Sequence, residues 1–125
     1  MARELRDSTV GLMVAQAGTL LVLLHFALFY CFVLRARFEL GRWPELYHPD
    51  PKDLGFIVHH VLVWLSICAL PFAPFVAGVG SFAARELGVG TRPRQLSAVG
   101  FFMLFGAAIC VLLADPGGFG MWFAD

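Results

Sequence analysis

Four histidines carry the chemistry that this sequence could do. His25 lies alone inside an uncharged stretch, His48 sits in "YHPDP", and His59 and His60 stand side by side in "GFIVHHVLVW". Imidazole holds haem iron, binds zinc or copper, relays protons, or serves as a hydrogen-bond partner inside a packed bundle. One arrangement uses His25 and His59 together. Counted along their helices, His25 stands about 13 Å from Leu34 and His59 about 8 Å from Leu54, so a modest tilt would bring both rings to the two faces of a haem b. A second arrangement joins His48 and His60 with Asp50 and Asp53 as a mixed imidazole and carboxylate metal set, although the spacing matches no compact metal motif. Each has a plainer counterpart. His25 can bond the Ser66 hydroxyl or a backbone carbonyl, and His60 and Trp64, one turn apart, can be interfacial anchors. Asp50, between Pro49 and Pro51, reads as a turn, and Asp53 as a helix cap.

The elements that must position these residues are apolar. Val10 to Leu34, Leu54 to Ala84 and Gln95 to Ala114 contain no Asp, Glu, Lys or Arg and run 25, 31 and 20 residues. A bilayer core of about 30 Å needs roughly 20 helical residues, so each run is long enough to span. Three segments cannot close a barrel, which leaves helices. The sequence therefore predicts an all-α membrane protein of three transmembrane helices, one integral-membrane domain over residues 1–125, with a long loop at 35–53. Hydrophobic residues make up 59% of the 125 and charged residues 14%, far from the balance of a soluble domain. Nine basic and nine acidic residues cancel, so no field draws nucleic acid.

The run at the N-terminus is too long for a signal-peptide core, and helix 1 is expected to remain as an anchor. Asp7 and Ser8 are expected to cap it. In helix 2, Pro71 and Pro74 each remove a backbone donor, which predicts a kink. Trp43, Tyr47, Trp64 and Trp122 suit the headgroup zone, with Trp122 and Phe123 lying back on the membrane surface. Cys31, Cys68 and Cys110, one per helix and without a C-x-x-C spacing, read as small packing residues.

In lipid, helices associate through close packing of small residues. Helix 1 offers Gly11, Ala15 and Gly18, helix 2 offers Ser66, Ala73 and Ala77, and helix 3 offers Gly100 and Ala107, each at helical spacing. The large side chains of helix 3, Phe101, Phe102 and Phe105, are expected to face lipid or a partner.

No nucleophile and base stand in a catalytic spacing, no glycine-rich phosphate loop occurs, and no acid lies in a span. The sequence thus favours a structural or accessory subunit of a larger membrane complex, with other membrane subunits or further copies of the chain as partners. A haem- or quinone-binding redox anchor using His25 and His59 is the alternative. In plan and size the chain is similar to the membrane anchors of succinate dehydrogenase and fumarate reductase, but the His followed by Arg and His expected there is absent. A small oligomeric transporter or channel is the third reading, resting on Gln16 and Thr19. The expected location is a bacterial inner membrane. Arg3, Arg6, Arg85, Arg92 and Arg94 fall on one side and Arg35, Arg37, Arg42 and Lys52 on the other, which favours a cytoplasmic N-terminus by one charge.

Overall fold

Uncharged runs of this length satisfy their backbone within helices, and helices are what form. The computed structural model describes residues 2–45 and 49–124. Tyr47 and His48 lie outside the described residues. The elements are α1 (Ala2–Ala15), α2 (Ala17–Leu40), α3 (Ile57–Ala69), α4 (Ala73–Glu86), α5 (Thr91–Ala114) and α6 (Phe119–Ala124). Three helical stretches are long and apolar enough to cross a membrane: Ala17–Leu40, Ile57–Glu86 and Thr91–Ala114.

The first helix differs from the sequence expectation at both ends. It begins at Ala2, so Asp7 and Ser8 lie within α1 rather than at its start. It also runs through "RARFEL" to Leu40 and stops at Gly41, whose φ of +67° is the left-handed conformation that ends helices and suits glycine. Gln16 interrupts it, and the Ser97 hydroxyl from α5 donates to the adjacent Ala15 carbonyl at 3.1 Å. At Pro71 the second span tightens into a 3-10 turn over Leu70–Phe72, where α3 gives way to α4. Proline supplies no N–H to the α-helical pattern, and a tighter local pattern is one way to accommodate it. The second span starts after Gly55 with Phe56 at its N-cap, so Asp53 does not cap it; Asp53 lies instead in a 3-10 turn, Pro51–Leu54, capped by Asp50.

Close approach occurs where α2 and α1 meet α4. A Cβ added at Gly18 would stand 2.7 Å from the Ala77 Cβ and 2.8 Å from the Ala73 carbonyl oxygen. One added at Gly80 would run into the Val14 carbonyl. Gly11 and Ala15 are buried against the α4 end, beside Ala84 and Val89. On α5 Phe102 is exposed as the sequence leads one to expect, but three other positions depart from that expectation. Gly100 and Ala107 are exposed, while Phe101 is 1% exposed and packs with Val22, Leu70, Ala73 and Ala108. An aromatic ring fills the wide gap between α5 and its neighbours, which glycine could not. The three cysteines also lie on the outside rather than in the packing.

The end of the bundle near the long loop has its own core. Phe32 is fully buried, and its ring lies within 6.0 Å of the rings of Phe56, His59, His60, Trp122 and Phe123. The short α6 folds back onto this cluster and delivers Trp122 and Phe123 to it.

Candidate functional site

His25 is set on the buried face of α2 by the helical spacing that also buries Gly18, Val22, Phe29 and Phe32. Its ring meets Phe26 edge-on at 5.3 Å and stacks near Phe29 at 6.3 Å. Across the contact with α3, Nδ1 stands 2.9 Å from the Ser66 hydroxyl oxygen. That hydroxyl already donates its one hydrogen to the Val63 carbonyl at 2.7 Å, one turn back on its own helix. Ser66 can therefore only accept from His25, which places the hydrogen of the neutral imidazole on Nδ1 and leaves Nε2 as a bare lone pair. Nε2 is buried and has no partner among the described residues.

Beside this ring lies a partly open cavity of about 210 Å³, lined by residues of α2, α3, the Leu70–Phe72 turn, the C-terminal end of α5, and α6. Phe26, Phe29, Ile67, Leu70 and Phe123 form much of its apolar wall, and Asp115 lines it as well. Asp115 adopts a φ of +35° where α5 ends, and its carboxylate accepts from the amides of Gly120 at 2.9 Å and Met121 at 3.1 Å. It thereby secures the first turn of α6 and keeps Phe123 against the cavity. The pattern "DPGGFGMWFA", an acid and a glycine turn before a short apolar segment, is the sequence signal for this docked tail.

His59 does not share the cavity. Its Nε2 donates to the Leu28 carbonyl at 2.9 Å, joining α3 to α2. His60 accepts the indole N–H of Trp64 on Nε2 at 2.9 Å and stacks on Phe123 at 4.7 Å. The two adjacent histidines thus serve helix contact and aromatic packing. Of the metal set His48, His60, Asp50 and Asp53, His48 lies outside the described residues; Asp50 accepts from the Lys52 amide at 2.8 Å, Asp53 is exposed, and no three His, Cys, Asp or Glu side chains converge among the described residues.

Of the aromatic anchors, Trp43 and Trp64 are exposed, Trp43 with the Arg37 guanidinium 4.1 Å over its ring. Trp122 is not an interfacial anchor. It is fully buried, and its indole N–H donates to the Pro49 carbonyl at 2.8 Å, fastening the tail to the long loop. A ring that large gains more from the Phe32 cluster than from the headgroup zone once a carbonyl satisfies its N–H.

Comparison with known protein families, curated proteins and solved structures gave no match.

Proposed function

We propose that this chain is a structural or accessory subunit that works by packing against other helices in a membrane. The observation that carries this is the outer face of α5. Gly100, Gly106, Ala107 and Cys110 are exposed on neighbouring positions of the helix, and a Cβ at Gly100 or Gly106 would meet nothing within 4 Å. Large apolar side chains serve well against lipid, whereas small residues matter where another backbone comes close. Here the chain's own helices do not come close to Gly100 or Gly106, so the surface leaves room for a helix supplied by another subunit or another copy.

The redox-anchor alternative in its two-histidine form has less support. Haem ligation by His59 through Nε2 would require breaking the bond to Leu28. A cavity of about 210 Å³ is also far smaller than a tetrapyrrole.

Mild solubilisation followed by native mass spectrometry tests assembly. The expected result is a species heavier than one chain, lost in Gly100→Leu while the isolated chain keeps its thermal stability. Oxidative cross-linking through Cys110, with Cys31 and Cys68 changed to Ser, separates the partners: a doubled chain mass identifies a second copy. A monomer in lipid discs prepared directly from the native membrane overturns the reading.

A further inference from the structure

A second cavity, of about 370 Å³, is a groove between α4 and α5 that opens to the outside of the bundle. Pro74, Gly78, Ser81 and Arg85 line it from α4, and Arg94 and Ala98 line it from α5. A short loop joins these helices, so the last turn of α4 and the first turn of α5 lie at one end of the groove. That end carries both arginines. Arg94 Nε donates to the Val89 carbonyl at 3.1 Å, and the Val89 amide donates to the Ala84 carbonyl at 3.0 Å, beside Arg85. The loop thereby holds the Arg94 side chain toward the end of α4. The Arg94 Nη groups and the whole Arg85 guanidinium bond to no described residue, and no acid among the described residues lines the groove.

The rest of the groove is long and mostly apolar. Pro74 and Arg85 stand about 16 Å apart along α4. A Cβ at Gly78 would meet nothing within 4 Å, and Phe82 and Phe102, 65% and 64% exposed, form the lips. Both helices belong to spanning segments, with Arg85 one residue before the end of the second and Arg94 three residues after the start of the third. The charged end therefore lies at the membrane border, and the apolar length runs into the hydrocarbon. A second helix is a poor occupant, since roughly 16 Å of helix about 10 Å across needs several times this volume. A flexible chain with an anion at one end fits both the shape and the charge.

We infer that this groove binds one acyl chain of an anionic phospholipid, with the lipid phosphate held by Arg85 and Arg94. A guanidinium presents paired N–H donors that match phosphate oxygens, and basic pockets between spanning helices take anionic head groups. A head group that also carries an ammonium would bring a like charge to the two arginines, so the net anionic class is selected. None of Gly100, Gly106, Ala107 and Cys110, the face of α5 offered to a partner helix, lines the groove. Lipid binding is thus independent of assembly, and failure of either leaves the other standing.

The test is native mass spectrometry of the full chain in non-ionic detergent, titrated with dioleoylphosphatidylglycerol or dioleoylphosphatidylcholine and read as bound lipid per chain. One phosphatidylglycerol should bind saturably and at least about fivefold more tightly than phosphatidylcholine, the scale of one basic residue acting at a membrane surface. Arg85→Ala should weaken phosphatidylglycerol by about the same factor and narrow the preference. Arg92→Ala removes the same charge from the same end of α5, but Arg92 does not line the groove. It should change binding by less than about twofold, as expected of a screened, exposed charge. Gly78→Leu leaves both arginines in place and fills the apolar length, so it should weaken phosphatidylglycerol at least about fivefold through steric exclusion; it supplies the decision if Arg85→Ala does not fold. Excess inorganic phosphate should leave the lipid bound. Equal binding of the two lipids, equal losses in Arg92→Ala and Arg85→Ala, unchanged binding in folded Gly78→Leu, or displacement by inorganic phosphate overturns the proposal.

Discussion

His25 Nδ1 and the Ser66 hydroxyl oxygen stand 2.9 Å apart across the contact between α2 and α3, and the bond that Ser66 makes to Val63 fixes which of the two donates. One short hydrogen-bonded chain thus joins two membrane-spanning segments and sets the tautomer of the deepest polar ring in the bundle.

Ser66→Ala should lower thermal stability by about 0.6 kcal/mol, the average for interhelical hydrogen bonds in membranes, and by no more than about 1.7 kcal/mol, their upper end. His25→Ala should cost more, because it also empties space beside Phe26 and Phe29, and His25→Phe should cost less than His25→Ala, because it removes the polar group and keeps the ring. Unfolding followed by circular dichroism in one detergent measures the series. If Ser66→Ala and wild type unfold together, the bond contributes nothing.

Gly80→Ala should destabilise the bundle by roughly 1–3 kcal/mol, since its new methyl meets the Val14 backbone carbonyl, which has no side-chain freedom with which to move aside. Gly18→Leu should be worse, with Ala77 and the Ala73 carbonyl both in its path. Gly100→Ala should be neutral in the isolated chain or slightly stabilising, as its Cβ enters open space. The same unfolding assay separates them, and equal tolerance of Gly80→Ala and Gly100→Ala would remove the close-approach argument.

The contrast between Gly80 and Gly100 also marks what the sequence could convey. Charge-free length alone located the three spans, and small residues at helical spacing identified the inward faces of α2 and α4. On α5 the same rule pointed the wrong way. Spacing places Gly100 and Phe101 on different faces without saying which face meets the bundle, and the wide gap that Phe101 fills exists only in three dimensions. The His25–Ser66 pairing was legible as one option, because both residues sit on small-residue faces. The cavity was not, since α6 supplies one wall and its docking depends on Asp115 reaching amides five and six residues ahead.

Asp115→Ala should free the tail. It removes both bonds to the α6 amides, a loss comparable to deleting a helix cap, about 0.5–2 kcal/mol. Asp115→Asn should be milder, because asparagine both accepts such bonds and tolerates a positive φ. Limited proteolysis near Gly117 and the emission of Trp122 report the difference: Asp115→Ala should be cleaved faster and emit at longer wavelength as the indole becomes hydrated. If neither readout moves, α6 is held by the aromatic cluster without help from its cap.

Topology gives the last expectation. Three spanning helices put the two ends of the chain on opposite sides of the membrane, and α6 must then share a side with the long loop because Trp122 donates to the Pro49 carbonyl. Five basic residues against four, with the short loop between α4 and α5 the more purely basic, favour a cytoplasmic N-terminus. Paired reporter fusions at residue 125 and near Gly90 should therefore report an outer C-terminus and a cytoplasmic loop. Reversed activities would overturn the orientation and leave the fold intact. Equal location of both fusion points would instead mean that α5 does not cross, and would contradict the three-span architecture itself.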